Sequence, residues 1–148
     1  MTAQEKVDGA VGELCWRAER GYGSFLTFDL GGREPGPRRD RGEWHLWVYA
    51  GDWTLLGPEG VLATEQDDQA VIERAITPFG GKRLTSAVVD PLSLEASFAF
   101  EGDLSVEIGP TTDDELLDMD WWLLFTPAER VLVVGPGPTW TYRSSHEP

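Results

Sequence analysis

Hydrophobic and polar side chains alternate along residues 94–108, which read LEASFAFEGDLSVEI. Leu104, Val106 and Ile108 are expected on one side of a strand, with the polar residues between them on the other. Gly102 marks a tight turn between two such strands. A sheet with one polar face is typical of antiparallel pairing, because parallel strands tend to be apolar throughout. The segment therefore predicts an antiparallel hairpin.

The same alternation predicts strands along most of the chain. Leu26, Phe28 and Leu30 should face the core, which leaves Asp29 on the polar face. We predict an α+β fold, mostly β, with one or more antiparallel sheets of about 8–10 strands and one or two short helices. The predicted strands are residues 14–20, 24–30, 44–49, 53–56, 61–64, 83–89, 94–100, 104–108, 121–125, 131–134 and 140–143, and the predicted helices are residues 2–10 and 66–77, with a further turn within 113–119.

The chain also contains a weak internal repeat. Residues 12–64 and 81–134 show the same order of predicted elements at an offset of 69. Ancient duplication and a coincidental β-meander rhythm both fit this pattern. The identities are Gly12 with Gly81, Ser24 with Ser93, Trp53 with Trp122 and Leu55 with Leu124.

The length of 148 residues predicts a single domain, residues 1–148. Residues 31–42 contain no hydrophobic side chain and are rich in glycine, proline and charge, so we expect a mobile surface loop there. This loop carries four of the arginines. Acidic neighbours and the absence of interleaved aromatic residues favour a solvated loop over a nucleic-acid contact.

Charge is the strongest functional signal. The formal net charge is −14, and no lysine or arginine lies between Leu84 and Ala128. A field of one sign repels nucleic acid and anionic membranes and attracts basic proteins or cations. We therefore expect a basic protein partner, with no nucleic-acid or membrane partner. The carboxylates in this region are Asp90, Glu95, Glu101, Asp103, Glu107, Asp113, Asp114, Glu115, Asp118 and Asp120.

Tryptophan is the expected anchor of such an interface. Trp44 and Trp47 have opposite strand parity, and Trp121 and Trp122 are adjacent, so one of each pair could be exposed while core packing remains the commoner role. The predicted partner-binding residues are Glu101, Asp103, Glu107, Asp113, Asp114, Glu115, Asp118, Asp120, Trp121 and Trp47.

Catalytic and metal-binding patterns are missing from the sequence. His45 alternates with Trp44 and Leu46 in a predicted strand and has no partner by spacing, so we interpret it as structural. No nucleophile elbow, Walker loop, dinucleotide fingerprint or zinc motif occurs. Residues 113–120 lack the central glycine of a calcium loop. We predict no catalytic residue, no cofactor and no metal. A pair of catalytic carboxylates, as in glycoside hydrolases, stays an open alternative, because the distance between the two groups cannot be read from the sequence.

The cellular location is predicted from the single cysteine and the N-terminus. Cys15 has no second cysteine to pair with, which favours a reducing compartment, and it is best interpreted as a small buried hydrophobe. The N-terminus lacks the apolar segment of a signal peptide, and no apolar run reaches membrane-spanning length. We therefore expect a cytoplasmic protein.

Several runs resemble small bacterial proteins of about this length whose function is uncharacterised. Some of those proteins are similar to the immunity partners of polymorphic toxins. The resemblance rests on packing and turn residues, so it implies a fold family and no active site. It also implies stoichiometric inhibition of a toxin, often a basic nuclease, by an acidic surface. The runs are residues 21–26 (GYGSFL), 43–48 (EWHLWV), 52–53 (DW) and 121–127 (WWLLFTP), with Trp140.

Three functions are therefore compatible with the sequence. The first is a non-enzymatic acidic binding protein, of which a toxin-neutralising immunity protein is one form. The second is a small-ligand or carbohydrate-binding domain that uses tryptophan and carboxylates, and the third is an unrecognised hydrolase. A ligand-binding domain should contain a concave apolar pocket, whereas an inhibitor should present a flat or convex acidic face.

Overall fold

The computed structural model describes residues 2–146. It contains one sheet of eleven strands, antiparallel throughout, and two short helices, which confirms the mostly-β α+β class; the eleven strands correspond to the eleven segments predicted individually and exceed the overall prediction of about 8–10 by one. The strands are β1 (Leu14–Arg20), β2 (Leu26–Glu34), β3 (Arg41–Val48), β4 (Asp52–Gly57), β5 (Gly60–Thr64), β6 (Lys82–Val89), β7 (Ala96–Phe100), β8 (Leu104–Gly109), β9 (Trp122–Thr126), β10 (Arg130–Val134) and β11 (Trp140–Ser144), the helices are α1 (Ala3–Asp8) and α2 (Gln69–Ile76), and short 3-10 turns cover Thr77–Phe79 and Asp114–Leu116.

The order of strands across the sheet is symmetrical about the β1–β6 contact, except that β11 at one edge has no counterpart. It runs β11-β10-β9-β3-β2-β1-β6-β7-β8-β4-β5. Each half of the chain contributes three consecutive strands, and the two sets meet where β1 pairs with β6. The hairpin of β4 and β5 then joins β8 of the second half, while the hairpin of β9 and β10 joins β3 of the first. The halves thus share one strand order and exchange their terminal hairpins.

Matched hydrogen bonds join the halves at this centre. The Gly12 amide donates to the Leu84 carbonyl, and the Gly81 amide donates to the Cys15 carbonyl, each at 2.7 Å. Both glycines have positive φ, +95° at Gly12 and +89° at Gly81, which other residues adopt only with strain. The two positions lie 69 residues apart, the offset of the sequence repeat.

The hydrophobic core lies on the inward face of the sheet, under the helices. Leu26, Phe28 and Leu30 are buried as the alternation predicts. The ring of Phe28 packs against Phe79 and Phe100, with centroids 5.7 Å from each. Aromatic contacts of this kind stabilise a core beyond the area they bury. The first and second halves therefore share one core.

Helix α2 closes one side of this core. Ile72, Ala75 and Ile76 lie on its buried face, as expected for an amphipathic helix packed on a sheet. Within the described residues, no helix combines the length and the apolar character needed to cross a lipid bilayer.

The predicted loop at residues 31–42 is shorter than expected. Strand β2 continues to Glu34 and β3 begins at Arg41, so the irregular connection covers only residues 35–40. The ladder extends without hydrophobic side chains because guanidinium groups pack on rings instead. Arg33 lies 3.9 Å from the ring centroid of Trp16, and Arg41 lies 4.6 Å from that of Phe125.

Candidate functional site: an acidic belt beside an aromatic cluster

Three adjoining depressions follow one side of the molecule. The largest is a groove of about 830 Å³, and its neighbours measure about 330 and 270 Å³. The groove shares Asp52 and Glu65 with the second depression, which shares Tyr49 with the third. Among the described residues, no lysine or arginine lines any of them. We call this surface the acidic belt; its carboxylates are Asp52, Glu65, Asp90, Glu95, Glu107, Asp113, Asp118 and Asp120.

The exchanged hairpin builds the centre of the belt. Because β4 pairs with β8, Thr54 lies opposite Glu107, and Asp52 lies opposite Gly109 at the end of the pair. On the other side of β8, Ser97 of β7 lies opposite Glu107. Strand alternation turns Glu107 outward and leaves its neighbours Val106 and Ile108 in the core. Carboxylates from both halves thus line one groove.

Hydrogen bonds fix several belt carboxylates in place. Glu65 Oε2 accepts from the Trp53 amide at 3.1 Å. Asp52 Oδ2 accepts from the Thr112 hydroxyl at 2.6 Å, and its Oδ1 accepts from the Thr112 amide at 3.3 Å. These bonds hold the negative charges near each other before any partner arrives, which is the arrangement expected of a preorganised binding surface.

Two belt carboxylates have shifted pKa values. The amides of Ser93 and Leu92 donate to Asp90, each at 2.9 Å, and these bonds lower the pKa of Asp90. Partial burial raises the pKa of Asp120, and the charge of Arg143 offsets this only in part. A cation placed beside Asp120 would lower this pKa again, because it favours the ionised form of the carboxyl group.

A cluster of three aromatic rings adjoins the belt. Phe25 stacks on Tyr49 at a centroid distance of 4.5 Å, and Trp47 meets Tyr49 edge to face at 4.9 Å. All three residues are half-buried. Trp47 and Tyr49 line the same depression as Asp118 and Asp120. A half-buried tryptophan and two carboxylates therefore lie together at this end of the belt.

Exposed hydrophobic side chains flank the belt. Tyr22 is 90% exposed and precedes Phe25 in the turn between β1 and β2. Leu92 is 85% exposed in the loop that carries Asp90, and Leu117 is 53% exposed within the segment that carries Asp118. Exposed apolar groups beside charge are a common feature of protein interfaces, where a few such residues supply most of the binding energy.

The structure brings together half of the ten sequence-predicted site residues. Glu107, Asp113, Asp118, Asp120 and Trp47 line the belt. Asp113 also caps the 3-10 turn, because its Oδ1 accepts from the Glu115 amide at 2.9 Å.

The other five do not line it. Glu101 and Asp103 form the turn at the far end of β8, and Glu101 Oε1 accepts from the Arg83 backbone amide at 2.7 Å. The hairpin tip is therefore separate from the belt. The remaining three are Asp114 and Glu115, which are exposed on the 3-10 turn outside the three depressions, and Trp121.

The expectation that Trp121 or Trp122 is exposed is wrong. Trp121 is 5% exposed and Trp122 is fully buried. The indole of Trp121 covers Gly135, where a Cβ atom would lie 2.7 Å from the ring. A glycine in the following loop thus lets the chain pack closely over Trp121, which removes it as an exposed anchor.

Half of the eight belt carboxylates were not predicted from the sequence to belong to a shared site. Asp52 and Glu65 lie at the two ends of the β4–β5 hairpin and reach the groove only because that hairpin joins the other half of the sheet. Phe25 and Tyr49 were also missed. Their one sequence signal is that Phe25 lies on the outward face of the strand predicted at 24–30 and that Tyr49 ends the strand predicted at 44–49.

His45 has a partner that the spacing did not reveal. Its Nδ1 lies 2.6 Å from Asp29 Oδ1, across the β2–β3 ladder. Asp29 is fully buried on the face predicted to be polar, and its carboxylate also accepts from Arg17 Nε and the Gly42 amide, each at 2.9 Å. Burial alone would raise the pKa of Asp29, but the bonds from His45, Gly42 and Arg17 outweigh it and lower the pKa to about 2.

Metal ligands do not converge in the belt despite its charge. In residues 2–146, no three or more His, Cys, Asp or Glu side chains form a group suited to holding a metal ion. The belt carboxylates are instead spread along the grooves or engaged by amides and hydroxyls of the chain.

The fold and surface define an α+β protein, mostly β, with a long acidic depression. No family model, no curated protein and no solved structure matches the chain.

Proposed function

We propose that this chain is a binding protein that captures a basic protein partner through the acidic belt. One observation supports the proposal above the others. Eight carboxylates follow three adjoining depressions that no described lysine or arginine lines, and an aromatic cluster lies at one end. Such a surface attracts a positively charged partner over long range and offers rings for close contact.

The shape of the belt indicates what part of a partner it would receive. A flat or convex acidic face was expected of an inhibitor, but the belt is concave. A protruding basic loop or strand fits a groove, with lysine or arginine side chains directed to Glu107, Asp52 and Glu65. The exposed side chains of Tyr22 and Leu117 would contact the apolar surface around that element. A basic toxin neutralised by stoichiometric inhibition is the particular partner that the sequence resemblance suggests.

Carbohydrate binding receives less support. Trp53 lines the largest groove but is only 2% exposed, so its ring offers no stacking platform there. The groove wall is about equally polar and apolar and carries five carboxylates, whereas a small-ligand pocket is typically lined mostly by apolar surface.

A charge-matched pair of variants tests the proposal. The belt variant combines Glu107→Gln, Asp118→Asn and Asp120→Asn, three side chains that make no hydrogen bond within the described residues. The probe is a synthetic peptide rich in arginine and leucine, titrated by calorimetry at low salt. We expect the belt variant to bind the peptide at least about tenfold more weakly, because three direct charge contacts are lost.

The control variant removes the same three charges elsewhere. It combines Glu34→Gln, Glu59→Gln and Asp103→Asn, which are exposed and lie outside the belt. Its affinity for the peptide should stay within about twofold of wild type. Equal losses in the two variants would show that only net charge matters, and the proposed site would be wrong.

A further inference from the structure

A second cavity differs from the belt in the sign of its charge. It has a volume of about 280 Å³ and lies beneath the β2–β3 connection. Its lining includes His45 and four arginines, Arg17, Arg38, Arg39 and Arg41, against the single carboxylate of Asp40. In a chain of net charge −14 with twelve lysines and arginines in total, a third of the cations line this one cavity.

The wall of this cavity is fixed by the buried carboxylate behind it. The side chain of Asp29 is 1% exposed and holds both Arg17 and His45. Arg17 is further anchored where its Nη2 donates to the Asp40 carbonyl at 2.7 Å. Because Asp29 is ionised, it can only accept, so the proton of the 2.6 Å contact lies on His45 Nδ1. The ring nitrogen left for a ligand is therefore Nε2.

Several polar groups at this cavity lack a partner in the protein. Within residues 2–146, His45 Nε2 and the guanidinium of Arg38 make no hydrogen bond or ion pair. The guanidinium of Arg41 lies over the ring of Phe125 and makes no ion pair in that part of the chain. Arg39 is different, because Glu19 neutralises it. The guanidinium groups of Arg38 and Arg41 are thus the donors free to meet an anion, and His45 Nε2 is an acceptor in the same cavity.

We propose that this cavity binds the phosphate group of a small molecule, whose oxygens accept from the guanidinium groups of Arg38 and Arg41 and whose P–OH group donates to His45 Nε2. Planar guanidinium groups match the oxygens of phosphate, and a buried carboxylate that orients a histidine is a common way to present one ring nitrogen to a ligand. The volume is near the lower end of the range for small-molecule pockets, about 300 Å³. A nucleic acid fits poorly, because its further phosphates would meet the strongly negative field of the rest of the chain.

The test uses inorganic phosphate and glycerol phosphate as probes, with sodium chloride at matched ionic strength as the blank. The His45 ring signals are followed by NMR during each titration. We expect saturable shifts of the His45 signals with either phosphate compound and none with chloride. Tighter binding of glycerol phosphate than of inorganic phosphate would indicate an esterified ligand, and the reverse would indicate the free ion.

Two double variants distinguish a specific phosphate site from non-specific attraction of the anion to positive charges on the protein. Arg38→Gln with Arg41→Gln should weaken phosphate binding at least about tenfold, since two charge-assisted contacts are lost. Arg74→Gln with Lys82→Gln removes two charges that line no part of the cavity and should leave binding within about twofold. Arg38 and Arg74 are exposed, whereas Arg41 and Lys82 are half-buried at the starts of strands, so a wild-type circular dichroism spectrum of each double variant is required before binding is compared. Linear shifts without saturation, or equal losses in both double variants, would overturn the proposal.

Discussion

Trp53 and Trp122 lie 69 positions apart and make matching hydrogen bonds. The Trp53 indole donates to the Ser24 carbonyl at 2.8 Å, and the Trp122 indole donates to the Leu94 carbonyl at 3.4 Å. Each tryptophan starts a hairpin that pairs with the other half of the sheet, yet its indole bonds back to its own half. These bonds tie each exchanged hairpin to its own half, and the pairing of β4 with β8 brings residues from both halves together at the belt.

Replacing either tryptophan by phenylalanine should weaken the fold by a similar amount. Trp53→Phe and Trp122→Phe each remove one buried hydrogen bond and leave a small cavity, so we expect a loss of about 1–3 kcal/mol in the free energy of unfolding. Urea denaturation measures it. A loss below about 0.5 kcal/mol in both variants would contradict the structural role of these bonds.

The buried Asp29 should make the protein sensitive to acid. Its folded-state pKa, about 2, lies below the ordinary value of 3.8, so the unfolded chain takes up a proton first as the pH falls. The stabilisation is full above about pH 4 and is lost as the pH falls toward 2, and it amounts to roughly 2 kcal/mol.

The variant Asp29→Asn isolates this effect from that of the other carboxylates. At neutral pH it should be less stable by about 3 kcal/mol, because Arg17 loses its buried partner. The difference in unfolding free energy between wild type and variant should shrink as urea denaturation is repeated from about pH 5 down to about pH 2. A difference that stays constant over that range would show that Asp29 is not the acid-sensitive group.

Cys15 should be chemically inert in the folded protein. Its side chain is fully buried, and burial raises the pKa of the thiol to about 12. A thiol-specific reagent should therefore react with it only after urea is added, since the thiolate is the reactive form. Tyr22→Cys places a second thiol at a position that is 90% exposed and should react at once. Rapid modification of Cys15 without denaturant would contradict its burial.

Replacement by alanine should lower the free energy of unfolding by different amounts at two glycines. Gly81 has φ +89° and open space around it, so Gly81→Ala adds only backbone strain, about 1 kcal/mol. Gly135 has φ +84° and lies under Trp121, so Gly135→Ala adds a clash and should cost about 2–4 kcal/mol. Thermal or urea unfolding compares them, and equal costs would contradict the close packing of Trp121.

The fold was predictable where hydrophobic alternation is local. The strand predicted at 14–20 matches β1 residue for residue, and residues 104–108 match β8 to within its last residue. The alternation of Leu104, Val106 and Ile108 sets both the strand and its buried face, because a sheet of this kind has one core side. The extension of β2 and β3 through residues 31–34 and 41–42 escaped prediction because cation–ring contacts replace hydrophobic packing there.

The site was predictable only in part, because its geometry is not local. Glu107 could be assigned to an outward face from the sequence, but its neighbour Asp52 arrives through an exchanged hairpin. The contact of Asp29 with His45 depends on the register between β2 and β3, across sixteen residues of chain. Spacing along the sequence does not reveal such a register.

The most direct test of the acidic belt is the association rate with the physiological partner, measured by stopped-flow over ionic strengths from about 25 to about 300 mM. The partner is first recovered from the native cell with the wild-type protein. The belt variant should associate more slowly than wild type, and its rate should depend less steeply on salt. The control variant should follow the wild-type curve. If the belt and control variants give the same curve, the partner binds elsewhere and the belt only contributes net charge.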